Sequence, residues 1–219
     1  SDYWEQARRN YAGFEPDIRA GTSSVYQHEM PGGQYTNLRQ QARSLGIEER
    51  WDDIARTYAQ VNHMFGDVIK VTPTSKVVGD MALMMVTSGL TPDDVMSPDR
   101  EIAFPESAVQ LFGGEMGQAY GGFPEELQKK ILKGRAPLTK RPGEVLPSID
   151  LTKAHSDADG KVGRRISDQE LASYLMYPAF FVDYAKVRRT YGNISVLPTP
   201  AFFYGMETND EISVDLERG

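Results

Sequence analysis

The chain has 219 residues, 40% of them hydrophobic and 25% charged, with a formal net charge of −7. That length accommodates one or two domains with an ordinary buried core, and an acidic balance with both signs mixed along the chain excludes the basic surface of a nucleic-acid binder. Cysteine is absent, which removes disulfide frameworks, thiolate zinc sites and cysteine nucleophiles, and no apolar run reaches bilayer length.

The opening Ser1-Asp2-Tyr3-Trp4 has neither a signal nor a transit pattern. A cytoplasmic location follows by default, or the mitochondrial matrix in a eukaryote. Trp4, Ala7, Tyr11, Phe14 and Ile18 fall at steps of three and four, which predicts a helix, with a stop or bend at Pro16. Met30-Pro-Gly-Gly-Gln34 breaks the chain before a helix carrying Leu38, Ala42 and Leu45 and closed by Gly46. Trp51, Ile54, Tyr58, Val61 and Phe65 form the next stripe, stopped by Gly66.

A short strand-like lead-in from Val68 ends at Thr72. Pro73 then supplies the φ of a first helical position, and Val77, Met81, Met84 and Met85 recur at core-facing spacing as far as Gly89. Thr72 therefore reads as an N-cap, and Thr72, Ser75 and Lys76 together as a place for an anionic or enolate-like ligand at a helix mouth. Thr-Pro is also a common helix opening with no functional content.

Thr91-Pro92-Asp93-Asp94 repeats the cap-then-proline signature, and Pro105 and Pro124 open two more helices. The stretch from Lys133 to Pro147 is linker-like, and Thr152 to Gly163 reads as a polar surface loop. Ser167-Asp-Gln-Glu170 is a capping box ahead of Leu171, Tyr174 and Leu175, and Pro178 either kinks that helix or opens a second one with Phe181, Tyr184, Val187 and Arg188. Ile194 to Leu197, Ala201 to Tyr204 and Ile212 to Leu216 read as short strands. The expected architecture is mainly α, with a helical domain over 1–148 and a small, incomplete mixed α/β segment over 149–219. Both ends read as cut from something longer.

Other constellations carry no chemistry. His28-Glu29 lacks the second histidine of a zinc-protease motif, because Gly32 stands there, and His63 and His155 are scattered. Asp157, Asp159 and Gly160 echo a calcium loop whose twelfth position holds Ile166 in place of glutamate. The glycines from Gly113 to Gly122 lack the lysine of a phosphate loop, and Arg188-Arg189 complement a helix dipole.

The run from Tyr26 to Leu38 and the run from Phe65 to Ala82 closely resemble the carboxyltransferase region of the pyruvate carboxylase family, as do Phe104-Pro-Glu-Ser107, Arg141-Pro-Gly-Glu144, Tyr177-Pro178 and Leu197 to Met206. Oxaloacetate decarboxylase and transcarboxylase subunits share the Pro-Gly-Gly loop and the Thr-Pro-Thr-Ser run. They usually carry glutamine where this chain has Lys76, and a different residue from Gln34.

The resemblance implies a fragment of a biotin-dependent enzyme that carboxylates pyruvate to oxaloacetate at the expense of ATP, a reaction serving anaplerosis and gluconeogenesis. In that family a TIM barrel binds a divalent metal, and the helices after it form a funnel to its mouth. Residues 1–148 resemble that funnel, without the barrel. Residues 149–219 resemble the start of the allosteric, tetramer-forming domain.

Biotin on its carrier domain, the metal and ATP would all belong to other parts of a homotetrameric parent. Pyruvate and carboxybiotin would be the partners at the site, with neither nucleic acid nor membrane involved. By motif, Thr72 falls on the family's catalytic threonine, which relays a proton between pyruvate and biotin, and Ser75 and Lys76 fall on biotin-pocket residues. The isolated stretch is expected to be inactive. The remaining alternatives are a decarboxylase or transcarboxylase fragment and a non-catalytic helical assembly module.

Overall fold

In a computed structural model that describes residues 2–15 and 20–212, every regular element is a helix. The described residues form two compact units, one made of 2–15 with 147–212 and the other of 20–146. Helix α1 (Asp2–Tyr11), followed by a 3-10 turn over Ala12–Phe14, belongs to the first, with the C-terminal segment. Ile18, expected on the same helix face, lies outside the described residues.

The unit of residues 20–146 holds α2 (Val25–His28), α3 (Gly32–Ser44), α4 (Trp51–Met64), α5 (Thr74–Ser88), α6 (Pro92–Met96), α7 (Glu106–Phe112), α8 (Glu125–Leu132) and α9 (Pro142–Val145). Its core is continuous. Leu38 and Ala42 of α3, Ile54, Tyr58 and Val61 of α4, and Val77, Val78, Met81 and Met85 of α5 are all buried against one another. Periodic apolar residues fix which face of each helix turns inward, and burial of that face supplies the stabilisation that propensity alone does not.

Phe65, Phe112 and Phe123 add an aromatic column. Phe65 meets Phe112 edge-on at 4.9 Å and Phe112 stacks on Phe123 at 4.4 Å. Helices α3 and α5 pack closely at Gly79, where a Cβ would lie 2.4 Å from Nε2 of the buried Gln34 and 3.0 Å from Leu38.

Helix ends follow the punctuation in most places. Thr91 and Asp94 form a reciprocal capping box on α6, and Gly46, Gly66 and Gly89 have the positive φ of helix stops. Pro31, Pro105 and Pro124 each stand immediately before a helix, as N-caps. The start of α5 differs from the expectation. Its N-cap is Pro73, no side chain caps it, and the Thr72–Pro73 peptide is cis. Thr72 thus sits one residue further out, in a turn, and the segment from Ile69 to Val71, read as a strand-like lead-in, forms no strand.

The second unit contains α10 (Leu151–Val162), α11 (Asp168–Met176), α12 (Pro178–Tyr191) and α13 (Thr199–Tyr204) with α1. Its core is small: Ala158, Ile166, Leu171, Tyr174 and Phe181. The capping box at Ser167 and Glu170 is formed, and Pro178 opens a separate helix after Tyr177.

Two expectations are corrected in this unit. The polar stretch from Thr152 is helix α10, because the Asp150 carboxylate accepts from the Lys153 N–H and caps it, and because Ala154 and Ala158 give it a narrow inward stripe. The mixed α/β reading fails at two of its three strands. Ile194–Val196 is a 3-10 turn, where Asn193 Oδ1 accepts from the Ser195 N–H, and Ala201 to Tyr204 is helical because Pro198-Thr-Pro200 presets the helical entry. The third, Ile212 to Leu216, falls almost wholly outside the described residues.

Candidate functional site

The segment linking α4 to α5 carries the predicted site, and local polar contacts determine its path. The Thr74 hydroxyl donates to the Val71 carbonyl at 2.7 Å and accepts from the Val71 N–H at 3.2 Å, and it also contacts the Ile69 carbonyl. That closes the turn on itself. Lys70, whose side chain is largely buried, donates to Glu29 at 2.6 Å. With its amide oriented to satisfy both neighbours, Asn62 donates to the Val68 carbonyl and accepts from Lys70, each at 3.2 Å. The Thr72 turn is thereby tied to α4 and to the residue ahead of the Pro31-Gly-Gly loop.

The turn consumes the helix-mouth donors expected to meet a ligand. Ser75 N–H donates to the Val71 carbonyl at 2.9 Å, and the N–H groups of Lys76 and Val77 donate to Pro73 at 3.1 and 3.3 Å. With those three amides taken up, the Thr72 and Lys76 side chains are what stands exposed at this mouth.

Thr72 is exposed and its hydroxyl has no partner among the described residues. Ser75 is buried, with its carbonyl accepting from the Tyr58 hydroxyl at 3.3 Å; burial of that phenol pushes its pKa up. Lys76 is exposed, and its ammonium donates to Asp80 Oδ2 at 2.5 Å. The structure thus puts two of the three predicted residues, Thr72 and Lys76, at the surface, and Ser75 beneath it.

Two polar residues had no role assigned from sequence. Asp80 lies one turn after Lys76, its side chain 19% exposed, and Ser107 at the start of α7 donates to the same Oδ2 at 2.7 Å. The i,i+4 spacing of Lys76 and Asp80 was readable, but the contact to Ser107 spans 27 positions and needs the packed α5 and α7.

Of the histidines, His28 is buried and its pKa is lowered by desolvation; its Nδ1 accepts from the Met30 N–H at 2.9 Å and its Nε2 lies 3.4 Å from the Ser24 hydroxyl. A neutral ring that bonds to the main chain on one side is a structural device holding the Glu29-Met30 turn. In the other unit, Asp159 accepts from the Ile166 N–H, and Asp157 bonds to Lys161 and Tyr174. Both carboxylates are committed to tying α10 to α11 and to the Ile166 segment between them.

Comparison with known proteins places these features in context. The family model described as the conserved carboxylase domain matches residues 25–219. Pyruvate carboxylase from Bacillus subtilis (strain 168) is 50% identical over 100% of this chain, and that from Staphylococcus aureus (strain Mu50 / ATCC 700699) is 45% identical over the same share. The chain spans 19% of the length of each.

Among solved structures, the carboxyl transferase domain of Rhizobium etli pyruvate carboxylase with pyruvate and biocytin is similar over 99% of this chain and 37% of its own, at 56% identity and a TM-score of 0.91. The complete multifunctional enzyme from the same organism matches over 99% of this chain and 20% of its own, at 56% identity and a TM-score of 0.88.

Proposed function

The chain belongs to the conserved carboxylase domain family, and from that premise we propose that it is the helical part of the carboxyltransferase region of a pyruvate carboxylase. In this reading a barrel, a divalent metal, the ATP site and the biotin carrier lie on parts of the enzyme outside these residues. The residues after 148 lead into a domain that serves assembly into a homotetramer, in the cytoplasm or, in a eukaryote, the mitochondrial matrix. The observation that carries the proposal is the likeness, over 99% of the chain, to a carboxyl transferase domain solved with pyruvate and biocytin. The Thr72 and Lys76 side chains stand exposed at one turn, where a substrate could reach them.

The residues at this turn suit a biotin group. Its ureido ring needs a donor for its oxygen and a proton acceptor or donor beside its nitrogen, and the Lys76 ammonium and the unpartnered Thr72 hydroxyl are groups of those kinds. When bound, carboxylated biotin supplies an activated carboxyl group for transfer to a carbanion-like carbon.

A threonine hydroxyl is too weak an acid to lose its proton outright. Thr72 therefore gives one proton as it receives another, moving a hydrogen from the methyl carbon of pyruvate to the ring nitrogen through one oxygen. Lys76 offsets negative charge on the ureido or carboxylate oxygen. Ser75 is buried beneath these two side chains, and its part in this reading is to support the turn that carries them.

The test is Thr72→Ala in the full-length enzyme. Oxaloacetate formation is expected to fall below detection, while ATP-dependent carboxylation of biotin and the circular dichroism of the protein stay unchanged. Retained oxaloacetate formation refutes the relay.

A further inference from the structure

The Lys76 and Asp80 pair runs against the electrostatics of its own helix. Lys76 stands in the first turn of α5, where the macrodipole disfavours a cation, and the lysine precedes its acid by four positions, the weaker of the two possible orders. A pair serving helix stability would be arranged the other way. Nor is it a free surface pair, because Asp80 is mostly covered and its Oδ2 also accepts from Ser107 on α7.

We propose that Asp80 and Ser107 are positioning residues for Lys76. A lysine ammonium on a flexible stem, 57% exposed, would otherwise sample many rotamers. One of its three N–H donors goes to Asp80, and Ser107 holds the accepting oxygen in place from the neighbouring helix. The other two donors are then aimed outward in a fixed direction. Ser107 makes that direction depend on the packing of α5 against α7, so the ammonium is set by tertiary structure and not by the helix alone. This inference rests on the proposal above that Lys76 meets the biotin or carboxylate oxygen.

A double-mutant cycle in the full-length enzyme tests it. The readout is kcat/KM for carboxyl transfer to pyruvate, with ATP-dependent biotin carboxylation followed in parallel. Asp80→Asn is expected to lower carboxyl transfer about tenfold and Ser107→Ala about threefold, with biotin carboxylation unchanged. In a Lys76→Met background neither substitution lowers it further, because the group they orient is already gone. Losses that multiply in the double variants overturn the inference while leaving the role of Lys76 standing. Full carboxyl transfer by Lys76→Met alone overturns both readings. Should Asp80→Asn fold poorly, seen as a loss of biotin carboxylation or of helical circular dichroism, the Ser107→Ala arm decides by the same criterion.

Discussion

Replacing Phe112 with alanine is the most direct test of how the larger unit is held together. The ring is fully buried, meets Phe65 at 83° and 4.9 Å, and stacks on Phe123 at 29° and 4.4 Å. A phenylalanine deleted from a close-packed site typically costs about 3–5 kcal/mol through lost transfer energy and the cavity left behind. Contact on two sides puts Phe112 toward the upper part of that range, because each aromatic pair adds roughly 0.5–1.5 kcal/mol beyond burial.

Phe112→Leu, which keeps most of the volume and loses both ring contacts, should cost about 1–2 kcal/mol. Urea unfolding followed by Trp51 fluorescence reads this unit alone once Trp4, the other of the two tryptophans, is replaced by phenylalanine. With a slope of about 1–3 kcal/mol per molar, the alanine variant should move the midpoint down by roughly 2 M. A shift below roughly 0.5 M at unchanged slope, or an equal cost for leucine and alanine, refutes the claim that the ring column organises this core.

Two pH effects follow from the same unit. Hydrogen bonds from Arg43, and secondarily from Arg39, hold the Glu48 carboxyl at about 2, below its ordinary value of 4.5. A depressed carboxylate contributes stability that is complete above the ordinary value and lost as pH falls toward the folded one, so the unfolding midpoint should decline between pH 5 and about 2, with a shallower slope in Arg43→Gln. An unchanged slope would show the pair to be idle. His28 acts in the other direction: burial lowers its pKa, so the unfolded chain takes up the proton first and stability drops as pH falls through the ordinary value of 6.5. His28→Gln should flatten the midpoint between pH 7 and 5, and an identical profile would contradict the neutral, buried assignment.

Much of the larger unit was legible because periodicity and punctuation agreed. In α4 the stripe from Trp51 to Phe65 and the stop at Gly66 point to the same helix, and in α11 the capping box and the apolar pair do so. Reading failed where one signal was weak. Helix α10 turns mainly small alanines inward, with Val162 at its end, so its sequence looks largely polar. The aromatic run in α13 has strand-like composition, but Pro198 and Pro200 direct its backbone into a helix.

At the site, the hydroxyl at Thr72 was found by motif, yet its placement was misjudged, since Thr-Pro can open a helix or lie in the turn ahead of one, and only the Thr74 contacts decide. Asp80 and Ser107 had no assigned role for a different reason. A carboxylate oxygen shared between two helices is a product of packing, and no local pattern announces it.

The narrow gap at Gly79 bears on which sequences this scaffold can accept. A glycine inside a helix forgoes about 1 kcal/mol of propensity relative to alanine, and here the vacated space holds the Gln34 amide. Positions 34 and 79 are therefore coupled in one direction: any side chain at 79 demands a shorter residue at 34, while a longer residue at 34 finds nothing left to trim at 79. Exchange of residue 34 alone for a longer side chain is expected to push α3 away from α5 at Gly79, inside the helix that the Thr72 turn leads into.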